Sequence, residues 1–424
     1  MLNYVQRVVF ILDLFTILNY QGSKKNLIDF IHNNTLNYID EKKAILDIFS
    51  GSCSVGYSFK QDYKVFANDS EQYSSIIAEA LLSKTSRISI EELKNNISKL
   101  HLENQSKLNT KFGDYLIIEK KLLTDNDRSE LIKLYEDYPT IWNSKNSFGY
   151  SENIYSLFTT YYAGTYFGIE QCFEIDSIRY AIESFSNNKK LKSVLLSCLF
   201  FAMKECVFSK DGHMAQPLSP SKNIGRLQKQ RNKSIAELFL KKLEGFFSEA
   251  FINIDNGNAI FNENFKDILK NKKIQEEVGF IYADPPYTDM QYSRYYHLLN
   301  VAAKYDYPLP TIIKKGYTKG LYTENRFQSQ LSQKQGCLKS FSELIQYTNC
   351  YKKNLAISFA YPKEPELQKT NRYVMSIQEI IFTCENTFGK PNVKVESIDY
   401  THSNNRNSQS KKVLEYLVMC KGVQ

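Results

Sequence analysis

The chain lacks paired cysteines. None of Cys53, Cys172, Cys198, Cys206, Cys337, Cys350, Cys384 and Cys420 forms a CxxC pair. That spacing speaks against a disulfide framework and a zinc site, and suits reduced, structural thiols in a cytoplasmic protein. Cys198 and Cys206 fall in an apolar stretch that reads as a buried helix. Apolar runs long enough to span a membrane are also lacking. The stretch Val8–Leu18 is apolar apart from Asp13 and Thr16, but it is short and no small-residue cleavage site follows. It reads as a buried N-terminal helix, not as a signal peptide or a span. There is no internal repeat and no low-complexity linker.

A length of 424 residues suits two closely joined domains. Lys and Arg exceed Asp and Glu by 8, a mild surplus that favours a polyanionic partner over a solvating acidic role. A Lys- and Asn-rich composition with no such partner gives the same surplus. Short apolar runs read as strands at Ala44–Phe49, Lys64–Asn68, Asn258–Phe261, Gly279–Ala283, Asn354–Ala360, Val393–Tyr400 and Val413–Met419. Helical patterns separate most of them, so these parts read as an α/β core with a largely parallel sheet. The polar run Thr401–Lys412 suits a hairpin connection between the last two strands. A helix is expected over Ser70–Leu82. From about Lys84 to Ile254 helical periodicity takes over, with long candidates at Asp176–Phe208 and Leu227–Phe251.

Three segments carry chemistry. In Asp47-Ile48-Phe49-Ser50-Gly51-Ser52-Cys53-Ser54-Val55-Gly56, small residues between a strand and a helix let the backbone turn sharply and approach a ligand. Asp69 ends the next strand, where a carboxylate can accept both hydroxyls of a ribose. Asp284-Pro285-Pro286-Tyr287 follows the strand Gly279–Ala283, and its prolines end that strand and stiffen the turn. The aspartate and the Pro285 carbonyl then become two fixed acceptors beside a flat aromatic face. Two acceptors around a conjugated amino group free its lone pair to attack a sulfonium methyl. In Asn19-Tyr20-Gln21-Gly22-Ser23-Lys24-Lys25, an aromatic residue and a lysine flank a tight turn and can hold a carboxylate-bearing ligand.

Together these segments resemble the DNA adenine amino-methyltransferases with a DPPY motif, in the group whose motif order is lysine loop, cofactor loop, recognition region, DPPY (the alpha group of restriction-modification systems). NYQGSK, DIFSGSCSVG and FANDSEQYS are similar to the family's cofactor segments. YTDMQYSRYYHLLN, KGLYTENRF, LAISFAYP and VLEYLVM are similar to segments after DPPY, and DGHMAQP weakly continues the likeness inside the insertion. The resemblance implies a Rossmann-like S-adenosylmethionine-dependent core, residues 1–84 and 255–424, with an inserted, mostly helical target-recognition region, residues 85–254. It implies that Tyr20, Lys24, Phe49, Gly51 and Asp69 contact S-adenosylmethionine, with Asn264 near the cofactor adenine. It implies that Asp284, Pro285 and Tyr287 hold the target base, with Asp284 also near the methionine end of the cofactor. Cys53 stands where the family has glycine, and Asn264 where it more often has aspartate.

Within the insertion, Lys222, Arg226, Lys229 and Arg231 lie on a loop-to-helix segment and suit phosphate contacts; a solvated helix face is the plainer alternative. His213 suits either a DNA contact or a structural role, and Lys270, Lys272 and Lys273 read as a solvated helix end. The expected reaction is methyl transfer to the exocyclic amino group of a flipped-out adenine in a specific double-stranded DNA sequence, without a metal or a covalent intermediate. The expected protein is a monomer, with a cognate restriction endonuclease as a candidate second partner. The alternatives are cytosine-N4 or RNA amino-methylation, or a DNA-binding relative without catalysis.

Overall fold

The computed structural model describes residues 15–18, 22–84, 88–142, 154–249, 254–314, 316–365, 371–400 and 413–422. Most of Val8–Leu18, the residues 19–21 that include Tyr20, and the connection Thr401–Lys412 lie outside the described residues. In chain order the strands are Ala44–Asp47 (β1), Val65–Asn68 (β2), Ala259–Phe261 (β3), Val278–Ala283 (β4), Ile312–Ile313 (β5), Gly316–Tyr317 (β6), Asn354–Pro362 (β7), Val393–Tyr400 (β8) and Val413–Cys420 (β9). Every strand expected from the sequence is present. Among the described residues, only the short ribbon of β5 and β6 was not foreseen.

Seven strands form one sheet in the order β3-β2-β1-β4-β7-β9-β8. β1 runs parallel to β2 and β4, β2 to β3, and β4 to β7. β9 runs antiparallel to both of its neighbours, β7 and β8. All four residues of β1 and of β2 are buried, as expected of parallel strands covered on both faces. On one face Leu46, Ile281, Ile357 and Val418 from the sheet join Leu344, Ile345 and Ile380 from the helices Cys337–Cys350 and Ile377–Phe388 in a single apolar cluster. The strand order reverses between β1 and β4. In sheets of this kind ligands bind beyond the carboxyl ends of the strands at such a switch point.

The chain forms two compact units. One comprises Met1–Lys84, Phe251–Tyr292 and Phe327–Gln424 and holds the large sheet; the other comprises Thr85–Ala250 and Ser293–Arg326. The sequence reading gave all of 255–424 to the core, and the segment 293–326 corrects it. Inside the helical unit, Arg179 Nε donates to Ala302 O (2.9 Å), Tyr305 OH donates to Asp176 Oδ1 (2.6 Å), and His297 Nε2 pairs with Met214 O (2.9 Å). These partners are distant in sequence, and no periodicity reports them.

The longest helix, Ile90–Thr124, has 35 residues and was not among the helices named from the sequence. Its start is capped by Ser89, whose Oγ accepts from Glu92 N. The two long helices that were named are each divided. Asp176–Phe208 spans part of Ile169–Glu183 and all of Lys189–Cys206, where Asn188 Oδ1 accepts from Leu191 N (3.1 Å) and starts a new helix. Leu227–Phe251 spans part of Ile224–Arg231 and all of Ile235–Phe247. There Ser234 Oγ accepts from Glu237 N (3.1 Å), a capping signal inside an otherwise continuous pattern.

Candidate active site

Asp284 follows the last residue of β4, at the switch point. Its Oδ1 lies 3.0 Å from Lys24 Nζ, and the same ammonium lies 3.1 Å from Glu415 Oε1 on β9. Lys24 and Glu415 are buried, while 21% of the Asp284 side chain remains exposed. Ser358, on the adjacent β7, donates its hydroxyl to the same Glu415 oxygen at 2.6 Å. One cation thus bridges two carboxylates. Burial alone would lower the Lys24 pKa, but Asp284 and Glu415 outweigh it and hold the ammonium well above its ordinary value. Burial pushes the Asp284 carboxyl up to about 7; Lys24 pulls it down and Glu415 pushes it up. The second Glu415 oxygen, Oε2, is buried without a hydrogen-bond partner.

Gly22 turns the chain into this lysine at φ +84°, and a Cβ there would stand 3.1 Å from Tyr292 OH. Ser23 Oγ lies 3.1 Å from Ser54 Oγ, which lies 3.0 Å from Ser52 Oγ. The lysine loop is thereby tied to the loop after β1. In that second loop Gly51 and Cys53 both have left-handed backbones, at φ +49° and +59°. Such a backbone costs an L-residue roughly 1–2 kcal/mol, which is the physical reason for glycine in the family this loop resembles. Asp47, at the end of β1, accepts from Gly56 N through Oδ2 (3.1 Å), while its Oδ1 is buried without a partner. Burial raises this carboxyl to about 8 against the Gly56 N–H, and Asp284 and Asp69 add to the rise.

Asp69 holds the backbone around it. Its Oδ2 accepts from Gly51 N and its Oδ1 from Glu71 N, both at 2.9 Å, so it braces the cofactor-type loop. Burial raises its carboxyl to about 6, with those backbone N–H groups opposing. Asn264 caps the helix Phe265–Ile268 by accepting from Lys266 N (3.0 Å). An aspartate could cap equally well, but the amide also brings donors. Phe49 is half-buried, with its ring 5.7 Å from that of Phe265.

The turn after β4 is pinned from outside. Val374 N donates to Tyr287 O (3.2 Å), and Asp289 N to Arg372 O (2.9 Å). Pro285 is buried. The Tyr287 ring stacks towards Tyr373 (6.2 Å between centroids) and meets Phe359 edge-on (5.7 Å), and Lys24 Nζ lies 5.8 Å from its centre. The fold therefore brings Lys24, Asp284, Pro285 and Tyr287 together, with Gly51 and Asp69 in the neighbouring loop system. Tyr20 lies outside the described residues.

Glu415, Ser358 and Tyr373 were not identified from the sequence, and Asp47 was quoted there without a role. The signal for Glu415 was available: it shares a strand face with Val413, Leu417 and Met419, where a carboxylate needs a buried partner. In the helical unit, Lys222, Arg226 and Lys229 are exposed, and Arg226 also donates to Ser209 O (2.8 Å). Arg231 corrects its expected phosphate-binding role. It is buried and donates to Tyr166 O (3.3 Å), Thr165 O (3.1 Å) and Gln171 Oε1 (3.3 Å). Helical spacing placed it with the cations, but its side chain points into the protein. His213 Nδ1 accepts from Ala215 N (3.3 Å).

Among curated proteins, the chain is similar to the Type II methyltransferase M.FokI of Planomicrobium okeanokoites, with 28% identity over 340 residues, covering 78% of this chain and 43% of that protein. It is similar to the modification methylase LlaI of Lactococcus lactis subsp. lactis, with 24% identity over 294 residues, covering 69% and 39%. It is also similar to the Type II methyltransferase M.NlaIII of Neisseria lactamica, with 25% identity over 294 residues, covering 68% and 70%. The match thus spans less than half the length of the first two relatives. Among the described residues no helix is long and apolar enough to cross a membrane. The family model for D12 class N6 adenine-specific DNA methyltransferases matches residues 20–354, most of the chain, and with the Rossmann-like sheet and the Asp-Pro-Pro-Tyr turn at its switch point this places the protein among the D12 class N6 adenine-specific DNA methyltransferases.

Proposed function

We propose that this protein methylates the exocyclic amino group of adenine in a specific double-stranded DNA sequence, with S-adenosylmethionine as donor, as the modification half of a restriction-modification system. The carrying observation is Asp284 at the sheet's switch point, held through one oxygen by a buried lysine and flanked by the Tyr287 ring. The donor suits this environment. It carries a sulfonium and an ammonium, and Asp47 Oδ1 is a buried acceptor without a partner. Lys24, Phe49, Gly51, Asp69, Asn264 and Asp284 are the residues to hold it, as is Tyr20.

The target amino group is paired inside the duplex, so adenine must leave the stack, at a cost of a few kcal/mol. Tyr287 offers the replacement stacking surface. Lys24 occupies Asp284 Oδ1 and leaves Oδ2 to accept one amino N–H; the Pro285 carbonyl is suited to the other. S-adenosylmethionine supplies an electrophilic methyl group: the nitrogen lone pair forms the new N–C bond as the C–S bond breaks and its electron pair returns to sulfur. Asp284 then takes the proton that the nitrogen sheds. Positioning and fixed charge supply the catalysis.

Recognition is assigned to residues 85–254 together with 293–326, with Lys222, Arg226 and Lys229 as phosphate contacts. The deciding experiment exposes unmethylated DNA to the protein and S-adenosylmethionine and maps modified bases by sequencing. N6-methyladenine at one recurring sequence is expected. Absence of methylation, with no calorimetric binding of the donor, overturns the reading.

A further inference from the structure

We infer that Glu415, held by Ser358, is a positioning residue that keeps Lys24 shared between two carboxylates and so preserves the basicity of Asp284. This rests on the proposed role of Asp284. The geometry is specific. Glu415 comes from the reversed strand β9 and Ser358 from its neighbour β7, and neither belongs to the segments that carry Lys24 or Asp284. Glu415 Oε1 accepts from Ser358 at 2.6 Å and faces Lys24 Nζ at 3.1 Å, while the same ammonium lies 3.0 Å from Asp284 Oδ1.

A lysine paired with Asp284 alone would place a full positive charge against the carboxylate. Asp284 would then be a weaker acceptor for the amino protons and a weaker base for the proton released after transfer. Sharing the lysine divides its influence and leaves the trio with one net negative charge, opposite in sign to the charge that the amino nitrogen develops. The other groups that act on Asp284 are fixed by the fold: Tyr282 on β4, Tyr287 in the turn, and Asp47 at the end of β1. Glu415 is the carboxylate that bonds the same lysine, so it is the one whose removal changes how the lysine is shared.

The test is Glu415→Gln, which keeps size and the hydrogen bond from Ser358 but removes the charge. Three properties are read: the kcat and KM of methylation, the pH profile, and the titration of Asp284 in protein without donor or DNA. The last is followed by 13C NMR of labelled aspartate and assigned with Asp284→Asn. The Asp284 titration and the acid limb of the profile should both move to lower pH by roughly one unit, because a like charge that raised the pKa is gone. The kcat should fall about tenfold, less than the loss on removing a directly contacting group, with KM for DNA and calorimetric donor affinity changed less than kcat. Glu415→Asp should recover part of both effects. An unmoved Asp284 titration in soluble Glu415→Gln protein, or an unchanged kcat, overturns the inference. Wild-type protein without adenine methylation overturns the proposed function on which it rests.

Discussion

Replacing Lys24 by Met removes a charge and little volume, so its effect reads the electrostatics of the site directly. The ammonium is buried between Asp284 and Glu415 at 3.0 and 3.1 Å. Removing one partner from a buried ion pair costs about 3–5 kcal/mol, because the remaining charge stays desolvated. Here two carboxylates are left, but one-fifth of the Asp284 side chain is exposed and water offsets part of the loss. A unit of this size shifts its melting temperature by about 2–4 °C per kcal/mol, so roughly 6–20 °C is expected near pH 8. The pH dependence has a definite sign. Burial already raises the Asp284 carboxyl to about 7 in the presence of Lys24, and loss of the lysine moves it higher. A carboxyl whose folded pKa exceeds its unfolded value carries no penalty below the unfolded pKa, about 4, and the full penalty only above the folded one. The deficit of Lys24→Met relative to wild type should therefore shrink as the pH falls from about 8 to about 5.5. Thermal melts of the unliganded proteins, followed by circular dichroism at both pH values, measure it. The double variant Lys24→Met/Glu415→Gln should regain stability over Lys24→Met, since one unpaired carboxylate has become neutral. An equal deficit at both pH values, or no gain in the double variant, would refute the reasoning.

Asp69→Ala should weaken donor binding by roughly 1.5–3 kcal/mol in calorimetry, for loss of charge-assisted hydrogen bonds, and should also lower stability because Gly51 N and Glu71 N lose their acceptor. Tyr287→Ala should remove stacking worth about 1–3 kcal/mol, raising the DNA concentration needed for methylation while donor affinity changes less; a fluorescent adenine analogue at the target should brighten less than with wild type. Arg231→Ala should lower the melting temperature, because the carbonyls of Thr165 and Tyr166 lose a buried donor. Lys229→Ala should leave stability alone, weaken DNA binding across all sequences, and reduce the salt slope by about one; equal melting temperatures for these two variants would contradict the distinction.

The sheet was legible because its strands are short, apolar and bounded by turns, and burial on both faces leaves little else for such runs to be. Asp284, Lys24 and Asp69 were legible because each sits in a local segment whose residue types already suggest a ligand. Glu415 and Ser358 were not, since their meaning arises only when β9 lies against β7. Arg231 misled for a related reason: spacing along a helix puts cations on neighbouring positions, but which one turns inward depends on Tyr166 and Gln171, many residues away. The transfer of 293–326 to the helical unit likewise rests on distant partners such as Asp176 and Met214. Local signals located the ligand-binding loops, and long-range pairing supplied the charge balance around them.

The reversed strand has a consequence for how the protein is made. β9 lies between β7 and β8, although both precede it in the chain. During synthesis β8 emerges before the strand it pairs with, and its hydrogen-bonding edge must wait for residues 413–420. Lys24, made long before β9, receives its second carboxylate only when Glu415 arrives. At about 5–20 residues per second, the wait from Lys24 to Glu415 lasts tens of seconds or more. Throughout it, the early lysine loop and the Asp-Pro-Pro-Tyr turn exist without the strand that balances their charge, so the nascent chain holds the site's best-marked segments well before it holds the finished site.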